Sequence, residues 1–341
     1  MEIIVNLDKT LEMPISRRCF LLSESFFAIL FFLGSMFFSP NIAQAAPQAT
    51  TDPSTAQTPS AVLYQDPFTP EEDEKDGAIN ENGYRVLFFP QGDPFTPLLA
   101  DPRQPTSNIS YFLGSNNHYG QFDGTFGADI GIIRWESEVS GINKSIQVGV
   151  MGAAFSRFAF VQTATYLEST DFIIGLPITI RYNKFSTRIF FYHDSSHTGY
   201  SYTSLMNLNK NTDYGQELLQ IIPSYDVTRY FRIYGGGAYR VVGLGFYPSA
   251  QDSLIGQAGF ELYAPEWKKA YSRAYMALNI ISQGINGYTP SEDLQIGILT
   301  HRPASWVQFR TAIDFYNGYS PMYDFPFLKE NYVALGAYFD F

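Results

Sequence analysis

Two side chains in this 341-residue chain have the types and the spacing for nucleophilic chemistry, His193 and Ser195. On a β-strand, residues two apart leave the same face, with Cα atoms about 6.5–7 Å apart. At that separation an imidazole reaches a hydroxyl, takes its proton and turns it into a nucleophile for an ester carbonyl. A histidine used in this way needs a third group to hold its ring. Glu217 has the parity to face outward on the neighbouring strand, and Asn207 lies in the intervening loop. Of the two, Glu217 is preferred. His197 is four residues beyond His193. Along a strand that spacing is about 13 Å, too long for a shared metal ion, so neither a metal site nor a cofactor is expected.

The element that must position these groups is Phe185–His197. At period two, Thr187, Ile189, Phe191, His193, Ser195 and His197 share one face. Ser186, Arg188, Phe190, Tyr192, Asp194 and Ser196 share the other. Arg188 in the middle of an aromatic strand belongs on the side with water or polar partners, so the even face points to a polar interior and the odd face to an apolar exterior. That inversion of a soluble sheet is expected of a strand in an outer-membrane barrel. His193 and Ser195 then meet lipid.

The ends of the chain agree. Lys9, Arg17 and Arg18 precede an apolar run from Phe20 to Phe38, and Ala43-Gln44-Ala45 gives a small-x-small cleavage pattern. Residues 1–45 therefore read as a signal peptide, with Met13 an alternative start. Ser16-Arg17-Arg18-Cys19-Phe20-Leu21 resembles a twin-arginine signal, but the strongly apolar run and the needs of barrel export favour the general secretory route. Cys19, the only cysteine, falls in that segment, so disulfides and thiolate metal sites are excluded from the mature chain. At the other end Val333, Leu335, Ala337, Phe339 and Phe341 alternate with polar or small residues. A strand that ends the chain on Phe resembles the signature by which barrels are handed to the bacterial barrel assembly machinery.

Between the ends, residues 46–82 are rich in Pro, Thr, Ser and acid, without hydrophobic period, and are expected to form a disordered extension. Residues 83–106 gain apolar content, but their prolines predict an irregular segment packed at or inside the periplasmic mouth. From 107 to 341 about twelve strands follow: 107–114, 125–136, 144–156, 170–183, 185–196, 216–229, 231–242, 252–263, 271–282, 291–301, 306–316 and 331–341. Their outward sets are apolar, such as Phe172/Ile174/Leu176/Ile178/Ile180. Their inward sets hold the charges, including Arg181, Asp226, Arg232, Glu261 and Asp314. Short connections such as Asn183-Lys184 and Arg229-Tyr230 alternate with longer ones, as when both termini are periplasmic. Pro177 and Pro223 lie mid-strand and predict bulges or wrong spans.

The expected fold is thus all-β: a transmembrane outer-membrane β-barrel of about twelve antiparallel strands, located in the bacterial outer membrane, with lipids as partners. A net charge of −11 argues against nucleic acid. Inward tyrosines predict a narrow or closed lumen. The composition says nothing of oligomeric state.

Three stretches carry a family resemblance: Phe89-Pro90 with Pro97-Leu98-Leu99-Ala100-Asp101-Pro102-Arg103, Tyr192-His193-Asp194-Ser195-Ser196-His197-Thr198-Gly199, and Gly318-Tyr319-Ser320-Pro321. Together they resemble bacterial domain-of-unknown-function family 1207 over roughly residues 84 to 341, with Tyr200-Ser201 where that family has Asp-Glu. The resemblance implies an exported, outer-membrane protein and assigns no activity. Separately, the His-x-Ser pair resembles that of two outer-membrane lipid hydrolases, phospholipase A and the lipid A 3-O-deacylase. That likeness implies His193 as base and Ser195 as nucleophile of a serine lipid acyl hydrolase. The competing expectation is a passive narrow pore or a structural barrel.

Overall fold

The computed structural model describes residues 84–341, apart from 116–119, 140–141, 206–213, 245–252, 269, 301–306 and 341. The signal and extension, Asn207 and Phe341 lie outside the described residues. The strands are β1 (Tyr84–Phe88), β2 (Ser107–Ser115), β3 (Gly120–Val139), β4 (Ile142–Val161), β5 (Ala164–Tyr182), β6 (Phe185–Thr198), β7 (Tyr214–Thr228), β8 (Phe231–Leu244), β9 (Leu254–Tyr263), β10 (Ser272–Gln283), β11 (Pro290–Thr300), β12 (Gln308–Tyr319) and β13 (Lys329–Asp340). A short helix, α1 (Tyr200–Leu205), follows β6.

Strands β2 to β13 pair antiparallel with their chain neighbours, and β13 returns to β2 through pairs such as Leu335↔Tyr111. The result is a closed barrel of twelve strands, an architecture that leaves no free edge where its ladders are complete. The period-two pattern holds throughout. In β6 the even residues from Ser186 to Ser196 are buried and the odd ones are not. Ile174, Ile221, Ile296 and Leu335 are exposed outside. Tyr192, Tyr234, Tyr275, Tyr316, Tyr332 and Tyr338 are buried within.

Three features depart from the sequence expectation. First, Tyr84–Phe88 is a strand rather than irregular, because the prolines begin only after it. It pairs with Ile133–Ser137, on the edge of β3 whose other half pairs with β2. Second, β3, β4 and β5 run to 20, 20 and 19 residues. That is about twice the 9–11 residues a tilted strand needs to cross a bilayer. Third, Pro177 and Pro223 cause neither a bulge nor a wrong span. The β4–β5 register is the same on both sides of Pro177, at Val148↔Ile178 and Met151↔Gly175. The β7–β8 register is likewise unchanged across Pro223. Each ladder simply skips the rungs around a proline that has no N–H to give.

Between β1 and β2 the chain leaves the wall and runs through the lumen. Phe95 and Leu98 pack on Ile222 and Tyr234. Leu99 and Ala100 pack among Tyr263, Tyr275 and Tyr338. A buried segment without regular structure must find partners for its backbone, and wall side chains supply them. Arg232 Nη2 donates to Thr96 O at 2.8 Å, Arg310 Nη1 to Leu99 O at 2.9 Å, and Leu99 N to Glu261 Oε1 at 3.0 Å. The barrel is therefore filled, not hollow.

Candidate functional site

The odd face of β6 brings together two of the three predicted catalytic side chains. His193 pairs with Glu217 directly across the β6–β7 ladder. Cβ atoms in such a pair sit about 4.5–5.5 Å apart, and here the side chains meet, His193 Nδ1 to Glu217 Oε1 at 2.8 Å. The His193 side chain is 46% exposed and that of Glu217 23%. A carboxylate can only accept, so this contact places the hydrogen on Nδ1, and in the neutral imidazole Nε2 is then the basic atom. Between Glu217 and Leu218 the β7–β8 register shifts by one, with Val241 as the extra residue on β8. Such bulges re-aim the side chains beside them.

Ser195 leaves the same face two residues on, opposite Phe172 of β5 and Gly215 of β7. Among the described residues it makes no side-chain hydrogen bond, so the structure does not join it to His193. Gly215 leaves room beside it. A Cβ built there would meet nothing closer than His193 Cε1, at 3.9 Å. Below this row the outward residues are apolar, Phe191, Leu219 and Leu176. The polar trio thus stands at the top of an apolar band. His197 lies beside Phe172, with ring centroids 6.1 Å apart and the ring planes tilted by 57°.

The even face of the same strand carries a constellation that the sequence reading passed over. Asp194, Ser196 and Thr198 point inward, towards Asp171 of β5, Arg103 of the lumenal segment and the loop 320–328. Arg103 Nη2 donates to Asp194 Oδ2 at 2.7 Å and its Nη1 to Asp171. It also reaches Pro321 O at 3.2 Å, between the rings of Phe155 and Tyr323. Asp171 further accepts from Ser196 and from Tyr323 N. Asp324 accepts from Ser169 Oγ at 2.8 Å and Thr198 Oγ1 at 3.1 Å. Burial pushes the Asp324 carboxyl up to about 6, and the charge of Asp171 adds to that. The flanking carboxylates of Asp194 and Asp171 hold Arg103 firmly protonated against its own burial. The signal that could have found this cluster was in the sequence. The three stretches that carried the family resemblance, around Arg103, Asp194 and Pro321, converge here.

A family model described as "Protein of unknown function (DUF1207)" matches residues 40–341. No curated protein is similar enough to match. Among solved structures, the chain is similar to the transport unit of the autotransporter AIDA-I from Escherichia coli. The identity is 9%, the TM-score 0.36, and the alignment covers 72% of this chain and 92% of that one. A likeness of that degree carries no argument here, and barrel closure rests on the chain's own strand pairing.

Proposed function

The chain belongs to the DUF1207 family, whose description assigns no activity, and on the chain's own geometry we propose an outer-membrane lipid-ester hydrolase working on the outside of a filled barrel. The observation that carries this reading is the 2.8 Å bond from His193 Nδ1 to Glu217 Oε1 on the outward face of the barrel. A barrel wall needs no such pair for its stability, since exposed ion pairs contribute only about 0–1 kcal/mol. Holding the imidazole in one tautomer beside a hydroxyl is, by contrast, what a serine hydrolase requires.

The step balances within these residues. Ser195 Oγ attacks the ester carbonyl as its proton passes to His193 Nε2. The C–O bond to the leaving alcohol breaks, and that alkoxide takes the proton from His193. Water then attacks the acyl carbonyl as its proton passes to the same nitrogen. The C–Oγ bond to Ser195 breaks, the fatty acid leaves, and Ser195 Oγ takes the proton back from His193. Backbone amides of β6 are engaged in its ladders, so the oxyanion draws its donors from the loop after β6 or from a cation carried in with the lipid. Residence in the bacterial outer membrane, and insertion by the barrel assembly machinery through β13 and Phe341, belong to the same proposal.

One observation favours a second reading, a structural barrel without catalysis. Ser195 makes no hydrogen bond to His193 among the described residues, although such bonds are often loose before substrate binds. A hydrolysis assay on the refolded barrel decides. Phospholipid and lipid A vesicles, with and without calcium, should release fatty acid. Ser195→Ala should abolish both release and labelling by a fluorophosphonate while the barrel still folds. No release from either lipid by the wild type would leave the structural reading.

A further inference from the structure

The interior of the barrel is unbalanced in charge. Among the described residues, ten buried aspartates and glutamates face six buried arginines, and Arg103 and Arg181, slightly more open, pair with three of the ten. Most of those arginines are already committed to carboxylates. Arg157 bonds Asp123 and Glu330, Arg232 bonds Glu261, and Arg310 bonds Asp340. Asp293 of β11 has no such partner. It is 5% exposed, and no donor among the described residues bonds either oxygen, Oδ1 being fully enclosed. The charges acting on it are Asp314 and Asp101, of its own sign, and the already engaged Arg310. A buried aspartate in that position costs several kcal/mol as a bare carboxylate, and it is relieved either by keeping its proton or by a cation that joins it.

Space for something positive is present. Two cavities of about 60 Å³ each flank the lumenal segment, and Asp101 and Asp293 line both. Each would hold several water-sized particles. The first is also lined by Asn279 and by Gln283, whose Oε1 is a second enclosed acceptor with no donor. Arg188 Nε faces the same cavity unbonded, but its two Nη atoms are held by Gln104 and Gln220. Among the described residues no three acidic, histidine or cysteine side chains converge in metal-ligand geometry. The chemistry is therefore that of a partly hydrated ion held by one carboxylate and neutral oxygens. A dedicated multi-carboxylate centre is not what these residues build.

We propose that the filled lumen binds a small, partly hydrated inorganic cation at Asp293, in the two cavities that Asp293 and Asp101 line. The ion offsets the excess of interior carboxylates, and it does so independently of any chemistry on the outer face.

The test uses the full chain refolded in detergent, at constant ionic strength, with choline chloride exchanged for NaCl, KCl or CaCl2. Choline is too large for cavities of this size. At least one small cation should raise Tm saturably, by about 2–4 °C for each kcal/mol of binding, and the effective salt identifies the ion. Asp293→Asn should remove that dependence. Glu292→Gln, next along β11 and exposed outside, should keep it. If Asp293→Asn does not fold, the wild-type series decides, together with an anomalous map from rubidium-soaked crystals showing a peak on Asp293. Identical melting in choline and all three salts overturns the proposal, as does the absence of a rubidium peak on Asp293 where KCl is the effective salt. So does a salt dependence that survives Asp293→Asn.

Discussion

The two faces of β6 are made from the same 14 residues and obey opposite rules. On the inward face Arg188, Tyr192, Asp194 and Ser196 are buried, and the polar ones are held in hydrogen bonds to the lumenal segment and to neighbouring strands. On the outward face, among the described residues, His193 makes one side-chain bond and Ser195 none, beside an apolar band. The inward network behaves like the polar core of a soluble protein, where each group matters because its partner would otherwise be left buried and unpaired. The outward row lacks that constraint. Losing it should barely affect folding, so whatever it contributes is chemistry. On the proposed function, stability and activity are separated across one strand, a few ångströms apart.

The sharpest way to break that comparison is Ser195→Ala. If the outer face is chemical, lipid-ester cleavage falls by at least about 10⁴-fold, as for other serine nucleophiles. Unfolding stability moves by less than about 0.5 kcal/mol. A fully active Ser195→Ala protein would assign the nucleophile elsewhere.

Arg103→Ala is the mirror experiment. It strands Asp171 and Asp194, both with fully buried side chains. Removing one partner of such a group costs about 3–5 kcal/mol. Denaturant unfolding in detergent micelles should show that loss while the rate of lipid hydrolysis per folded molecule stays unchanged. A loss under 1 kcal/mol would mean that the lumenal segment is held mainly by Phe95 and Leu98.

Glu217→Gln probes the outer row more finely. Glutamine can still accept from Nδ1–H but no longer stabilises the imidazolium formed during attack. A drop of about 10–100-fold in kcat is expected, with KM little changed. Equal kcat in mutant and wild type would show that the Glu217 charge has no part in the reaction.

Much of this organisation was legible in the sequence, because a filled barrel writes its inside and outside at period two. Arg188 and Asp194 on one parity and Ile189 and Phe191 on the other fix the orientation of β6 without any structure. The twelve barrel strands follow from the same alternation. What stayed hidden has physical causes. The ends of β3 to β5 project past the apolar band, where residues such as Glu136, Lys144 and Tyr166 no longer alternate in polarity. Tyr84–Phe88 pairs with residues some 50 positions later, and only a register can reveal that. The Arg103 cluster joins parts of the chain up to 218 residues apart. The His193–Glu217 pair was legible because it needs only parity and adjacency. The Ser195–His193 contact depends on rotamers, which no alternation encodes.

The smallest expected effect is a pH dependence of the inward cluster. Burial pushes the Asp324 carboxyl up to about 6, above an ordinary aspartate near 4. Between those values the folded protein holds a proton that the unfolded chain has already released. Stability therefore falls as pH rises from about 4 to about 6, and this contribution is flat above that window. Other carboxylates titrate in the same range, so the informative quantity is a difference. Asp324→Asn mimics the neutral acid and keeps an acceptor for Ser169 and Thr198. Relative to that variant, the wild type should lose about 1–2 °C of Tm between pH 4 and pH 6, and the two should run parallel at higher pH. The loop is partly open to solvent, which keeps the shift modest. Curves parallel across the whole range would show that Asp324 titrates as a free surface acid. The inward cluster would then end at Asp171, with the loop 320–328 resting on the barrel rather than being part of its filled interior.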